Sequence, residues 1–185
     1  MVNIIINDKN LEVDDGKSIL EAALEAGIKI PTLCYHKELS PYGACRLCVV
    51  EIVGGARPSL QASCLYKVTE GLIIKTDSER VRRTRKIVME LLLAMSPETE
   101  RLQELAKEYG LPRLRIKPKD KGNCILCGLC VRACREIVGV SAISFKQRGL
   151  HRKVGTPFDK INDVCIGCGA CAYICPTGTI KIEQA

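Results

Sequence analysis

Residues 124–134 read CILCGLCVRAC and residues 165–176 read CIGCGACAYICP, and these two stretches decide the architecture of the second half of the chain. Shifting one by 41 places superimposes Cys124 on Cys165, Cys127 on Cys168, Cys130 on Cys171 and Cys134 on Cys175, with Gly128 on Gly169. Such an internal repeat is a duplicated ligand-bearing unit. Three cysteines at two-residue gaps wrap a tight loop around three corners of a four-iron cube, and the fourth corner needs a thiolate from elsewhere. In the two-cluster pattern C-x2-C-x2-C-x3-C-P, the last cysteine of each motif ligates the other motif's cluster. The spacing therefore predicts Cys124, Cys127, Cys130 and Cys175 on one [4Fe–4S] cluster, and Cys165, Cys168, Cys171 and Cys134 on the other. Gly128, Gly167 and Gly169 are expected to let backbone N–H groups approach the sulfurs. Pro176 completes the signature in the second motif; Arg135 stands in its place in the first. A positive charge at Arg132 or Arg135, if close to a cube, would favour its reduced form.

The chain has 12 cysteines in 185 residues, and the four that remain are Cys34, Cys45, Cys48 and Cys64. Their spacing, C-x10-C-x2-C-x15-C, is related to the plant-type C-x4-C-x2-C…C pattern with a longer first loop, which points to a [2Fe–2S] site. Structural zinc also takes four thiolates, but usually from two C-x2-C knuckles; it is a more serious rival at this first set than at the repeated motifs. Every thiol is thus assigned to a set of four. A disulfide scaffold belongs to secreted chains, and Met1–Asn10 lacks the basic start and apolar core of a signal peptide. The longest apolar stretch, around Ile87–Met95, is interrupted by Glu90 and falls far short of the roughly 20 residues of a membrane span. A cytoplasmic protein in a reducing compartment is expected.

The formal charge of +7 would suit nucleic acid. Twelve thiolates contribute about −12 and three oxidised cores about +2 each, which brings the loaded protein to about +1. With two Phe, five Tyr and no Trp there is also little aromatic surface on which bases could stack, so no nucleic-acid role is expected. No G-x-G-x-x-G or G-x4-G-K-[ST] loop is present, so the chain is not expected to bind flavin or nucleotide.

An α+β chain of three segments is predicted. Residues 1–77 read as a β-grasp domain. Val2–Ile6 and Leu11–Val13 form a hairpin about the turn-like Asn7–Asn10. Ser18 and Glu21 mark a capping box before a helix ended by Gly27. Pro31 leads into the cysteine loop, and Cys48–Val53 and Gly71–Thr76 read as strands, with Gly54 and Gly55 turning the chain after the former. Residues 78–121 read as a helical connector. Val81, Val88, Leu91, Leu92 and Met95 recur at helical intervals. Ser96 and Pro97 read as the cap and first residue of a further helix, ended by Gly110, and Leu111–Lys121 as a linker. Residues 122–185 form the two-cluster domain. Arg80–Lys86 reads as a solvated basic face, with docking of an acidic partner as the functional alternative. Arg46, His36 and His151 read as loop residues.

This order of domains resembles the N-terminal electron-transfer module of a known family. The family includes the large iron–sulfur subunit of respiratory complex I, diaphorase small subunits of NAD-linked hydrogenases, [FeFe]-hydrogenases and NAD-dependent formate dehydrogenases. The resemblance is carried by Ile30–Cys34 with Gly43–Cys48, by Cys64, Glu70–Gly71 and Thr76, and by Cys124–Val140 with Pro157–Gly178. It implies an electron-transfer subunit between a flavin-containing NAD(P)H-oxidising subunit and a hydrogenase, formate dehydrogenase or similar catalytic subunit, with soluble ferredoxin as a further candidate partner. Family members commonly place a histidine and three cysteines between the domains for an extra four-iron cluster. Ala94–Gly110 has neither residue type, so three clusters are expected. The chain stops ten residues after Cys175, so no hydrogen-activating or molybdopterin domain and no catalytic site of its own are expected. Two rivals remain: a free-standing polyferredoxin shuttling between enzymes, and a redox or iron sensor.

Overall fold

The computed structural model describes residues 1–54, 58–111, 115–116, 122–160 and 163–182. Strand β1 (Val2–Ile6) pairs antiparallel with β2 (Lys9–Val13), from Val2 opposite Val13 to Ile6 opposite Lys9. Asn7 and Asp8 turn between them with φ of 49° and 67°, the left-handed pair that a two-residue hairpin requires and that Asn and Asp tolerate. Helix α1 (Ile19–Glu25) starts at the expected capping box. The Glu21 N–H donates to Ser18 Oγ at 3.2 Å, and the Ser18 N–H donates to the Glu21 carboxylate at 2.6 Å. Ile19, Leu20, Ala22 and Ala23 are buried against the sheet, and the chain leaves the helix at Gly27, φ +71°.

After the cysteine loop come β3 (Val49–Ile52), β4 (Ser59–Ala62) and β5 (Leu72–Lys75). The sheet order is β2-β1-β5-β3-β4, with β1 and β5 parallel and the other pairs antiparallel. The fourth strand goes beyond the sequence reading: SLQA has no β-branched residue, and its extended form comes from its register with β3, Val49 opposite Ala62. Gly55 of the expected turn lies outside the described residues, as does most of the Leu111–Lys121 linker.

Helix α2 (Glu79–Met95) is capped by Ser78, whose side chain accepts from the Val81 N–H. Helix α3 (Glu100–Glu108) begins three residues later than Ser96 and Pro97 predict, after Thr99. Ser96 instead ends α2: its N–H donates to Leu92 and Leu93 carbonyls, and its hydroxyl bonds the Thr99 hydroxyl at 2.5 Å. That closed pair makes Ser96–Thr99 the corner between two helices. Gly110, φ +61°, ends α3 as expected. In the last segment, α4 (Leu129–Arg132) opens into one wider turn, Ala133–Ile137, and α5 (Ala170–Tyr173) is its repeat partner. A short hairpin of β6 (Ser144–Lys146) and β7 (Lys153–Gly155), also outside the sequence reading, lies between the motifs.

Two apolar cores result. One lies between α1 and the sheet and includes Cys48 and Cys64. The other takes Leu33, Cys34, Cys45 and Leu47 from the first segment, Met89, Leu92 and Leu102 from α2 and α3, and Ile125, Cys127 and Leu129 from the first repeated motif. The helical stretch is therefore a packed wedge that both cysteine-bearing halves share.

Candidate metal centres

The first set of cysteines sits where the two cores meet. Cys34, Cys45, Cys48 and Cys64 are all buried, none more than 2% exposed. Left-handed backbone at Gly43 (φ +68°) and Arg46 (φ 58°) bends the loop so that Cys45 and Cys48 point inward while Arg46 stays in solvent. The Cys45 N–H donates to Cys34 Sγ at 3.4 Å, and the Cys48 and Cys64 sulfurs are 3.4 Å apart. Within each close pair the two sulfurs behave oppositely. The hydrogen bond with Cys45 holds the Cys34 thiol down to about 7, and that with Cys64 holds Cys48 down to about 6. Cys45 and Cys64 are driven far up by the same bonds and by burial. Four thiolates cannot share a dry pocket without positive charge, which a bound metal core would supply.

The repeated motifs surround two cavities. One, of about 620 Å³, is lined by Cys124, Cys127, Cys130 and Cys175, with Leu91, Ala94 and Met95 of α2 on its wall. The other, of about 480 Å³, is lined by Cys134, Cys165, Cys168 and Cys171. Each cavity thus gathers three cysteines of one motif and the last cysteine of the other. Left-handed residues shape both loops: Gly128 and Gly169 before α4 and α5, and Leu126 (φ 54°) where the repeat has Gly167 (φ +65°). Backbone N–H groups reach the sulfurs, Leu126 donating to Cys124 at 3.4 Å and Ala142 to Cys134 at 3.2 Å. Gly128 has a second reason to lack a side chain: a Cβ there would meet Phe145 at 3.1 Å and Tyr42 at 3.2 Å.

Burial pushes Cys127 up to about 11 and Cys130 up to about 12, and raises Cys124 and Cys171. Cys175 is lowered although burial opposes it, because the Thr177 hydroxyl and neighbouring N–H groups turn toward its sulfur. Among the described residues no three His, Cys, Asp or Glu side chains converge as they would on one ion. Soft thiolate sets arranged around cavities fit polynuclear iron–sulfur groups better than lone zinc ions.

Exposure is lowest in the first set and highest at the start of the last motif. Cys127, Cys130 and Cys134 are buried, whereas Cys165 and Cys168 are exposed beside Ile166, which is 67% exposed. His36 lies in a third cleft with Tyr35 and Tyr173, lined by no cysteine, and His151 is exposed on a turn. The basic run of α2 divides: Arg80 pairs with Glu51 at 2.6 Å, Arg82 with Asp77 at 3.1 Å, and Arg85 is buried, contrary to a wholly solvated face. Arg135 is at the surface on Glu136, whereas Arg132 is buried and donates to the Cys34 carbonyl at 2.7 Å. Spacing could not have revealed that Arg132, on the second half's first motif, addresses the first half's cysteine loop.

Residues 1–79 match the family described as a 2Fe-2S iron-sulfur cluster binding domain, and residues 123–179 match the 4Fe-4S dicluster domain. A crystal structure of an NAD+-reducing [NiFe]-hydrogenase in the H2-reduced state contains a chain that superposes with a TM-score of 0.84 at 32% identity, covering 96% of this chain and 86% of that one. The chain belongs to the iron–sulfur electron-transfer subunits of NAD(P)-linked oxidoreductases and hydrogenases. Among curated members of that family, it is 33% identical to a subunit of an NADH-quinone oxidoreductase of Rhizobium meliloti and 36% identical to the alpha subunit of the NADPH-Fe(3+) oxidoreductase of Geobacter sulfurreducens. Each match covers 97% of this chain and 24% of the relative. The HndD subunit of the NADP-reducing hydrogenase of Solidesulfovibrio fructosivorans is 35% identical over 97% of this chain and 36% of its own length. The chain therefore spans about a quarter of the first two relatives. No described helix is long and apolar enough to cross a membrane.

Proposed function

We propose that the chain carries one [2Fe–2S] cluster on Cys34, Cys45, Cys48 and Cys64, and two [4Fe–4S] clusters, one on Cys124, Cys127, Cys130 and Cys175 and one on Cys165, Cys168, Cys171 and Cys134. It relays electrons, in the cytoplasm, between a flavin-containing NAD(P)H-oxidising subunit and a hydrogenase, formate dehydrogenase or similar catalytic subunit. Residues 1–77, 78–121 and 122–185 are its two-iron domain, connector and two-cube domain. The observation that carries this reading is the crossed lining of the two cavities, three cysteines from one motif and one from the other.

When bound, the clusters accept and release single electrons. The chain's own residues set the conditions. The closed core around Cys34–Cys48 keeps water from the first centre, Leu126 and Ala142 N–H groups bond sulfur, and the N–H and hydroxyl groups around Cys175 favour its thiolate. The exposed flank at Cys165, Ile166 and Cys168 is where a partner approaches.

An anaerobic iron, sulfide and zinc count, with EPR of the dithionite-reduced chain, tests this. About ten irons and ten sulfides per chain, with one two-iron and two coupled four-iron signals, are expected. Zinc in place of iron with little sulfide would overturn it.

A further inference from the structure

Two arginines lie inside the protein with no carboxylate within 4 Å among the described residues, and both address the same loop. Arg85, on α2, is 6% exposed and donates through Nη2 to the Val49 carbonyl at 2.8 Å, one residue past Cys48. Arg132, on α4, is 5% exposed and donates through Nη2 to the Cys34 carbonyl at 2.7 Å and through Nη1 to the Ser40 carbonyl. In each, Nε is buried and has no partner. The Arg132 charge also lowers the Cys127 thiol of the first repeated motif, and Arg85 hydrogen-bonds the Tyr109 side chain. Arg132 lies 5.5 Å from the Tyr42 ring centre, and Glu136 beside it is taken up by the Ser40 N–H and Arg135. Arg85 senses the Tyr109 phenol, Asp77 and the Cys48 sulfur, and Asp77 already pairs with Arg82.

A buried guanidinium costs several kcal/mol unless an opposite charge compensates it. Two such cations, each with an unpartnered Nε and bonded to carbonyls at opposite ends of the Cys34–Cys48 loop, call for negative charge, and the thiolate set of Cys34, Cys45, Cys48 and Cys64 offers it to both, although Arg132 also acts on Cys127. Four thiolates on a two-iron core carry net negative charge, and one-electron reduction adds one more negative charge. We propose that Arg85 and Arg132 are the counter-charges of the first metal centre: they raise the reduction potential of the group held by Cys34, Cys45, Cys48 and Cys64. They also fasten that loop to the two elements, α2 and α4, that follow it. This deepens the reading of the first site as a two-iron centre and rests on it.

The test is an EPR-monitored redox titration of the full loaded chain, with dithionite as reductant, on Arg85→Met, Arg85→Lys, Arg132→Met and Arg132→Lys, with exposed Arg83→Met as control. Each methionine variant is expected to make reduction of the two-iron signal at least tenfold less favourable, which is 59 mV for one electron. Each lysine variant, which keeps the charge and loses the planar fork, is expected to stay within about threefold, and Arg83→Met within about twofold. Unmoved potentials in the methionine variants overturn the proposal. So does a lysine variant that shifts as far as its methionine counterpart, which would mean anchoring geometry alone. If a methionine variant no longer loads iron, its lysine counterpart decides: loading within threefold of the unaltered potential supports the charge, and a tenfold shift or failure to load overturns it. Absence of any two-iron signal in the unaltered chain would instead overturn the reading of the site itself.

Discussion

At the scale of single residues, the cysteines were legible because their spacing is the ligand geometry: a C-x2-C-x2-C loop has few other uses. The crossed partnership can be tested by pairing variants. If Cys175 serves the cavity of the first motif, Cys127→Ala with Cys175→Ala removes one cube, about four irons, whereas Cys127→Ala with Cys134→Ala removes both, about eight. Iron counting with EPR decides between this and ligation within each motif, which reverses the two results. Gly128 was legible only in part. Its left-handed backbone follows from the motif, but its contact with Tyr42 and Phe145 joins residues 86 and 17 positions away, which no local pattern encodes. Gly128→Ala should cost about 1–3 kcal/mol through strain and crowding together, read as a lowered thermal transition of the loaded chain. The buried arginines were partly illegible for the same reason. In the run with Arg80, Arg82, Arg83 and Lys86, helical spacing does put Arg85 on the face of Val81 and Leu92, but its carbonyl partner on β3 appears only when α2 is laid on the sheet.

Elements were readable where side chains make their own boundaries. Ser18 and Glu21 announce α1 because the capping bonds are local, and Ser18→Ala should cost about 1 kcal/mol; faster hydrogen exchange in residues 19–25 than in α2 is the measurement. The Ser96–Thr99 corner misled because two hydroxyl residues near one proline compete for the same role, and the tertiary turn chose Thr99 to precede α3. Strand β4 was hidden for the opposite reason: Ser59–Ala62 has no strand-forming character of its own, and only its pairing with β3 extends it. Contacts between elements also carry a titratable group. The Ser40 N–H and Arg135 hold the Glu136 carboxyl below its ordinary value of 4.5. Its contribution to docking the cysteine loop on the wider turn after α4 is present above that pH and lost as pH falls through the lowered folded value. Glu136→Gln should remove that acid-side dependence, seen as a flatter profile of thermal stability as pH falls below 4.5.

For the molecule as a whole, the sequence reads as two cysteine-bearing domains on a tether, whereas the second core draws from all three segments. Leu102, fully buried on α3, touches neither motif in sequence yet belongs to the core that seats Cys34, Cys45 and Cys127. Leu102→Ala should cost about 2–5 kcal/mol and speed the release of iron to a chelator from both the first centre and the Cys127 cavity, followed by absorbance. The outward gradient of burial, from Cys34 at 1% exposed to the open Cys165 and Cys168, sets how the protein ages in air. In the isolated chain dioxygen is expected to reach the last motif first and the β-grasp loop last, read as the order in which EPR signals are lost in air.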